Sequence, residues 1–292
     1  MSCKAPHTFF PYIGSKFRHV DKFIPLIPRH DLYIEVFGGS AALLFNKPYS
    51  HHEILNDING DLVNLYWVVA FRYNDFIELL SRMPLHSRGF FYKLKEHPLP
   101  FSCFNDVDYE LYRAVRTFLM LWNSFSGNGL LSNSSFSPKG RMGGTRREKT
   151  ASIQSLETLQ YFHCRLRSVT LEQLDFAELI SKYNESDVFL YCDPPYLDME
   201  HYYTLEEDNL HMKLFETLRG FKGKWMLSYN NNAIIKELYS DFHVFEIKLW
   251  YTAAFQNNAA KELLILNYDP TQTKMAYNGG QKRLTDFLKE VV

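Results

Sequence analysis

An alternation of short apolar strands with helices, in which the strands end on polar turns, most constrains the fold of this chain. Residues 31–36 predict a strand that ends at Phe37-Gly38-Gly39-Ser40, and a helical run follows. Residues 53–55 predict a second strand, which leads to Asp57. A strand, a glycine turn, a helix and a strand that ends on an acid form the pattern of a nucleotide-binding βαβ unit. The alternative for the glycines is a simple tight turn, and the alternative for Asp57 is a helix cap. Together the glycine turn and the acid favour an adenosine-type ligand.

A second polar turn, Asp193-Pro194-Pro195-Tyr196, follows the apolar run 188–192, which predicts a buried strand. Neither proline has an N–H, and proline restricts the residue before it, so the backbone carbonyls here point outward as acceptors. Ligands of open α/β sheets bind at the carboxyl ends of strands. A carboxylate, a fixed carbonyl and an aromatic ring are able to hold a flat amine such as a nucleobase. The alternative is a strand-end turn with a buried tyrosine.

The composition is that of an ordinary globular chain, with 46% hydrophobic and 22% charged residues over 292 positions. The formal net charge is −1, so any binding to nucleic acid has to depend on a local basic segment. Residues 139–149 form such a segment, with five basic side chains, one acid and three glycines. This pattern is typical of a solvated loop and also of a loop that contacts DNA.

The cysteine spacing fits neither a zinc site nor a disulfide framework, which predicts a reducing, cytoplasmic location. The first ten residues have no signal pattern, and no apolar run approaches the roughly 20 residues that span a bilayer. We therefore expect no membrane association, and association with the nucleoid if the chain is bacterial. No obligate protein partner is evident. His51-His52-Glu53 contains metal-ligand residue types, but it leads into a strand and we expect no metal there.

Strand signals fade between residues 73 and 151. Apolar residues recur at helical spacing over residues 107–122, and the chain after Asn123 is polar up to the basic segment. This predicts a helical insert with an exposed loop, within an α/β domain made of residues 1–72 and 152–292. Near the end of the chain, residues 243–250 and 262–268 predict two strands with only a loop between them. They suggest an antiparallel edge on a mostly parallel sheet.

Four segments, in the same order along the chain, resemble motifs of the DNA adenine methyltransferase (Dam) family. They are Tyr12-Ile13-Gly14-Ser15-Lys16, Phe37-Gly38-Gly39, Asn56-Asp57-Ile58-Asn59 and Asp193-Pro194-Pro195-Tyr196. Residues 121–125 look like the segment before the family's DNA-recognition loop, and Asp175-Phe176 resembles the pair that flanks the cofactor's adenine. The resemblance extends from about residue 11 to residue 268. The chain departs from the family pattern at Ser15 and Ala41, where glycine is usual, and at Val36, where proline is common.

The resemblance implies a Rossmann-like methyltransferase fold with an inserted helical DNA-recognition domain. It implies methyl transfer from S-adenosylmethionine to the exocyclic N6 amine of adenine in double-stranded DNA, with S-adenosylhomocysteine as product and no metal. The residues implied in catalysis are Asp193, Pro194 and Tyr196. The residues implied in cofactor binding are Tyr12, Lys16, Phe37, Gly38, Gly39, Asp57, Asp175, Phe176 and Asp193. The residues expected to contact DNA are Asn123, Lys139, Arg141, Arg146 and Arg147.

In the expected mechanism the target adenine leaves the duplex and stacks on Tyr196. Asp193 and the carbonyl of Pro194 then accept hydrogen bonds from the amine, which turns its lone pair toward the methyl group. The alternatives keep the donor and change the acceptor to RNA adenine, a cytosine amine or a protein amide, or make the chain a catalytically silent module. An aspartate at position 193 favours adenine, and the intact acid and ring argue against a silent module. A GATC-type target is the family expectation.

Overall fold

The structure is a computed structural model that describes residues 8–97, 108–138, 152–196, 210–250, 259–274 and 276–277. Seven strands form one sheet: β1 Leu32–Glu35, β2 His52–Asn56, β3 Thr170–Glu172, β4 Val188–Cys192, β5 Lys224–Asn230, β6 His243–Trp250 and β7 Ala259–Leu266. Their order across the sheet is β3-β2-β1-β4-β5-β7-β6. Strands β1 to β5 are parallel, and β7 runs antiparallel to both β5 and β6. This confirms the predicted α/β fold with an antiparallel C-terminal edge, although β7 begins three residues earlier than predicted.

Ten α-helices accompany the sheet in the described part of the chain. They are α1 Val20–Phe23, α2 Ala42–Asn46, α3 Gly60–Phe71, α4 Tyr73–Ser81, α5 Arg88–Glu96, α6 Tyr109–Asn123, α7 Ser152–Leu166, α8 Phe176–Lys182, α9 Leu210–Arg219 and α10 Ala233–Leu238. No helix among these residues is both long and apolar enough to cross a bilayer.

Helices cover both faces of the sheet, which explains why its central strands are apolar without alternation. In β1, Tyr33 packs into one hydrophobic cluster and Ile34 into the other, and in β4 Phe189 and Leu190 divide in the same way. The first cluster contains residues of α2 to α7, and the second contains residues of α8, α9 and α10. The chain therefore forms three layers, helix, sheet and helix.

The predicted helical insert shares the core of the first layer. Helix α4 begins at Tyr73, the first residue predicted for the insert. The described residues of the insert form helices α4 to α6 and contribute no strand to the sheet. Buried side chains such as Phe76, Leu94 and Val115 belong to the same cluster as α2 and α3. The insert thus packs on the α/β part, and its role as a DNA-recognition domain stays a prediction.

A buried ion network ties α7 to the sheet. Glu53 of β2 accepts hydrogen bonds from Lys47 and from both terminal nitrogens of Arg165, which also donates to the carbonyl of Leu44 at 3.0 Å. Burial lowers the pKa of Lys47 to about 8, against the opposing attraction of Glu53. The network therefore anchors the carboxyl end of α7 to β2 and to the carbonyl of Leu44.

Candidate active site

A cavity of about 720 Å³ opens at the carboxyl ends of β1, β2 and β4. The chain order reverses here, since β2 lies on one side of β1 and β4 lies on the other. Open α/β sheets bind ligands at such a switch point. The predicted site residues that line the cavity are Tyr12, Lys16, Phe37, Gly38, Gly39, Asp57, Asp193, Pro194 and Tyr196. The fold therefore brings all four motif segments to one place.

Lys16 and Asp193 form the central ion pair of the cavity. The Nζ atom of Lys16 donates to both carboxylate oxygens of Asp193 at 2.9 Å and to the carbonyl of Gly14 at 3.0 Å. The Oδ1 atom of Asp193 also accepts from the hydroxyl of Ser228 at 2.8 Å. The side chain of Lys16 is 2% exposed and that of Asp193 is 20% exposed. These contacts fix the carboxylate that follows β4 in one orientation.

Two carboxylates keep Lys16 charged. Burial lowers the pKa of Lys16, whereas Asp193 raises it, and so does Glu262, whose Oε2 atom lies 3.9 Å from Nζ. The net result is a pKa above the ordinary value of 10.5. Lys16 is therefore a cation at neutral pH.

The glycine turn, rather than the helix behind it, holds Asp57. The carboxylate of Asp57 accepts from the backbone N–H of Gly39 at 2.7 Å and from that of Asn59 at 2.8 Å. Asn59 is the residue that caps α3, because its side chain accepts from the N–H of Asp61 at 2.9 Å. Burial raises the pKa of Asp57, and the two N–H donors oppose that shift. Asp57 is thus left at the cavity wall as a hydrogen-bond acceptor.

The turn between β1 and α2 requires left-handed backbone at two places. Gly39 has φ +47, and a Cβ atom on it would lie 3.0 Å from the ring of Tyr12. Ala41 has φ +51, a conformation that costs an L-residue about 1–2 kcal/mol. Its N–H donates to the carbonyl of Gly38 at 2.6 Å. Ala41 is the position at which glycine is common in the resembled family, and glycine adopts a positive φ without this cost.

Asp175 and Phe176 lie behind the cavity rather than in its wall. The ring of Phe176 packs on that of Phe37, with centroids 5.6 Å apart and planes tilted by 34°. Asp175 caps α8 by accepting from the N–H of Ala177 at 3.0 Å, and it pairs with Lys213 at 2.9 Å. Phe176 thus supports the ring of Phe37, which lines the cavity. A contact of Asp175 or Phe176 with a cofactor stays a prediction.

Tyr196 is held by its neighbours at the rim of the cavity. Its ring stacks on that of Tyr229, with centroids 5.6 Å apart and planes at 25°. The hydroxyl of Tyr229 shares a hydrogen bond with Nδ1 of His211 on α9. The hydroxyl of Tyr196 donates to Oδ1 of Asp193 at 3.4 Å, and Nζ of Lys16 lies 5.1 Å from the ring centroid. The ring and the carboxylate are therefore positioned together.

Asn123 lies inside the protein, which differs from the expected DNA contact. Its side chain is buried and donates to the carbonyls of Leu85 and Leu119 at 3.0 Å, and its Oδ1 atom lies 2.7 Å from Nδ1 of His86. Its amide group is engaged by hydrogen bonds within the protein, so the structure does not present it as a surface contact. The basic residues expected to contact DNA all lie outside the described residues: Lys139, Arg141, Arg146 and Arg147.

The cavity also contains residues that the sequence does not identify. Glu35 ends β1 directly before the glycine turn, and Glu262 lies on β7, where it pairs in register with Asn230 of β5. The end of α6 and the turn after it contribute Leu121 and Asn128, so the insert forms part of the wall. The sequence feature that could have identified Glu35 as a site residue is its position at the end of a predicted strand. Glu262 becomes visible only with the antiparallel register.

Glu35 is a neutral acid at pH 7. Its carboxyl group accepts from the N–H of Leu44 at 2.9 Å and from the hydroxyl of Tyr33 at 3.1 Å. Burial raises the pKa of Glu35 to about 8, although both donors oppose the shift. The group therefore adds polarity to the cavity without adding charge.

One group of side chains with metal-binding chemistry occurs among the described residues, and it is remote from the cavity. Asp31, His51 and His52 are exposed, and Nδ1 of His51 lies 2.7 Å from Oδ1 of Asp31. They lie at the amino ends of β1 and β2, whereas the cavity is at the carboxyl ends.

Comparisons with known proteins point in one direction. A family model described as D12 class N6 adenine-specific DNA methyltransferase matches residues 12–253. A DNA adenine methylase of Serratia marcescens is 30% identical over 196 residues, 66% of this chain and 68% of that protein. The type II methyltransferase M1.LlaDCHI of Lactococcus lactis subsp. cremoris is 26% identical over 282 residues, 89% of this chain and 95% of that protein. A DNA N-6-adenine-methyltransferase of Escherichia phage P1 is 27% identical over 248 residues, 80% of this chain and 31% of that protein.

Proposed function

The chain belongs to the family of D12 class N6 adenine-specific DNA methyltransferases, and from that premise we propose which of its residues bind the methyl donor, the target base and DNA. It is an enzyme that methylates the N6 amine of adenine in DNA. We propose S-adenosylmethionine as the donor and double-stranded DNA as the acceptor, with the donor and the flipped adenine sharing the cavity at the ends of β1 and β4.

The cavity suits S-adenosylmethionine in size and in chemistry. Its volume of about 720 Å³ lies within the range of roughly 300–1,000 Å³ for small-molecule sites. The half-buried carboxylate of Asp57, fixed by two backbone N–H groups, is proposed to accept from ribose hydroxyls. Phe37, supported by the ring of Phe176, offers an aromatic surface for the donor's adenine. When bound, S-adenosylmethionine supplies a methyl group on a positively charged sulfur.

Asp193 is proposed to orient the target amine. Its Oδ1 atom is used by Ser228, Lys16 and Tyr196, whereas among the described residues Oδ2 accepts from Lys16 alone. A carboxylate oxygen accepts two hydrogen bonds, so Oδ2 retains capacity for one N–H of the amine. The carbonyl of Pro194 takes the other N–H, which directs the nitrogen lone pair away from the base plane. Both contacts strengthen as positive charge develops on the nitrogen.

Tyr196 is proposed to carry the flipped base. Extrusion of a base costs a few kcal/mol, which stacking on an aromatic face partly offsets. The ring is already fixed by Tyr229, so little side-chain entropy is lost when the base arrives. Residues of the insert line the cavity, which supports the proposal that the insert lies beside the target base. The basic segment 139–149 that follows is proposed to contact the phosphates.

The observation that carries this proposal is the Lys16–Asp193 pair in the wall of a nucleoside-sized cavity. The test is methyl transfer from labelled S-adenosylmethionine to duplex DNA, followed by digestion and identification of the labelled nucleoside. We expect N6-methyladenine from DNA and a much lower yield from RNA of the same sequence. Label in cytosine, in RNA alone or in protein would contradict the assigned acceptor, and binding of DNA without transfer would indicate a silent module.

A further inference from the structure

Two histidines where β2 begins and an aspartate just before β1 form a cluster on the surface of the protein. The Nδ1 atom of His51 lies 2.7 Å from Oδ1 of Asp31, and the Nε2 atom of His52 lies 4.0 Å from Oδ2 of the same carboxylate. The centroids of the two imidazole rings are 4.2 Å apart, and the ring planes are tilted by 43°. One carboxylate therefore faces two imidazoles, and the three groups offer ligand atoms within 4.8 Å of one another.

This cluster differs from the group of residues that is contiguous in the sequence. Glu53 follows the two histidines along the chain, but its carboxylate is buried beside Lys47. Successive residues of a strand point to opposite faces, so His52 is exposed while Glu53 turns inward. Asp31 supplies a carboxylate from the neighbouring strand instead. The sequence predicts no metal here because the histidines lead into a strand, but the order of residues along the chain does not reveal this third group.

Backbone hydrogen bonds fix the position of the aspartate between its neighbours. The N–H of Asp31 donates to the carbonyl of Asp187, just before β4, at 2.9 Å, and the carbonyl of Asp31 accepts from the N–H of His52 at 3.1 Å. A backbone that is ordered before a ligand arrives reduces the entropy lost on binding. The side chains of Asp31, His52 and His51 are 48%, 63% and 73% exposed, which gives an ion direct access from solvent.

We propose that Asp31, His51 and His52 form a surface site for a divalent transition-metal ion, for which Zn²⁺ is the suitable probe. Imidazole nitrogens and carboxylate oxygens bind zinc at about 2.0–2.2 Å in a tetrahedral arrangement, in which neighbouring ligand atoms lie about 3.3 Å apart. The separations of 2.7 and 4.0 Å fall on either side of this value, so small rotations of exposed side chains complete the geometry. Mg²⁺ and Ca²⁺ prefer oxygen ligands, so two imidazoles select against them.

The ion connects two adjacent strands at the edge of the sheet opposite the cavity. The cluster lies at the amino ends of β1 and β2, whereas the cavity opens at the carboxyl ends. Its ligands come from segments 20 residues apart in the chain, so the folded chain holds them together and the unfolded chain does not. An ion that binds the folded chain alone stabilises it by mass action. The site shares no residue with the cavity and is independent of the proposed function.

The test is calorimetric titration of Zn²⁺ into the chelator-treated full chain, with the wild type, H51Q, H52Q, D31N and a control, H243Q. His243 is an exposed histidine at the start of the edge strand β6, outside the cluster. We expect a single site in the wild type and in H243Q. Each of the other three variants should lose zinc affinity by at least about tenfold, because the loss of an outer-shell partner alone costs 10–100-fold. A wild type that binds no zinc, or wild-type affinity in any of the three cluster variants, would overturn the proposal.

Thermal melting and competition provide two further readouts. At a zinc concentration about ten times the dissociation constant, the melting temperature of the wild type and of H243Q should rise by about 2–4 °C, and that of H51Q and H52Q should not. The same rise in H51Q and H52Q would place the ion elsewhere and overturn the assignment. An excess of Mg²⁺ of about a hundredfold should leave zinc binding unchanged, and displacement by Mg²⁺ would contradict the proposed class of ion. Because the substituted side chains are exposed, all variants should melt as the wild type does without zinc.

Discussion

Replacing Lys16 with methionine is the perturbation whose effect follows most directly from the structure. The substitution keeps an unbranched apolar side chain as far as Cε and removes the ammonium group. Asp193 then loses a donor at 2.9 Å to each of its oxygens, and Glu262 loses a cation at 3.9 Å. Two carboxylates of the cavity wall therefore lose the ammonium group that lies near both of them.

The expected cost follows from these distances. Unit charges 2.9 Å apart attract by ~6 kcal/mol at an effective dielectric constant of 20, before any desolvation is subtracted. Removing one partner of a buried pair typically costs 3–5 kcal/mol. Because Asp193 is 20% exposed, water relieves part of the penalty, and we expect K16M to lower the free energy of unfolding by about 3 kcal/mol.

The assay is urea denaturation of K16M, D193N and the double variant at pH 7. If the pair is formed, the double variant is less destabilised than the sum of the single variants, with a coupling of about 2 kcal/mol. The pKa of Lys16 is raised above 10.5, so its contribution is complete below that value and is lost only as pH rises through the folded-state pKa. The cost of K16M should therefore be the same at pH 7 and pH 9. Additive single effects, within about 0.5 kcal/mol, would refute the pairing.

Three further predictions test separate parts of the molecule. The carboxyl group of Glu35 keeps its proton up to about pH 8 in the folded chain but loses it near pH 4.5 in the unfolded chain. The contribution of Glu35 to the free energy of unfolding is therefore complete below pH 4.5 and is lost as the pH rises to about 8. The loss is roughly 5 kcal/mol at most, and E35Q should flatten it in urea titrations at stepped pH; a slope equal to that of the wild type would contradict the assignment. Replacing Arg146 and Arg147 with glutamine should weaken duplex binding and reduce the slope of log affinity against log salt by about 1.8, and an unchanged slope would remove this segment from the interface. Gly127 has φ +73, and a Cβ atom there would lie 2.5 Å from the backbone of residues 11 and 12, so G127A should cost more than about 2 kcal/mol in thermal or urea unfolding. G89A, in the open face of α5, should be neutral or stabilising by about 0.5–1 kcal/mol, and similar losses in both variants would argue against the close approach.

The parts of the site that the sequence predicted are those encoded by local patterns. Gly39, Asp57 and Asp193 each follow an apolar strand, and the carboxyl ends of parallel strands meet at one edge of a sheet. Their convergence on one cavity could therefore be predicted without knowledge of side-chain contacts. The antiparallel edge was also predictable, because two late strands joined by a loop leave no room for a crossover.

The parts that the sequence did not predict depend on tertiary packing. Lys16 lies in a segment without regular strand structure and is 177 residues from Asp193, so no local pattern indicates that the two pair. Glu262 enters the cavity because β7 is antiparallel to β5 in a register that places it beside Asn230. Asn123 precedes a polar loop, which suggests an exposed residue, but the residue is buried and its amide donates to the carbonyls of Leu85 and of Leu119 in its own helix.

Methyl transfer by D193N tests the central claim most directly. Asparagine preserves the shape of the side chain but removes the negative charge and replaces one acceptor oxygen with a donor. Single-turnover transfer from labelled S-adenosylmethionine to duplex DNA should fall by about 10²–10³ or more, the range seen when one preorganised transition-state contact is lost. Folding, checked by thermal melting, and binding of S-adenosylhomocysteine should both persist. Transfer to adenine N6 at the wild-type rate by a folded D193N enzyme would contradict the account.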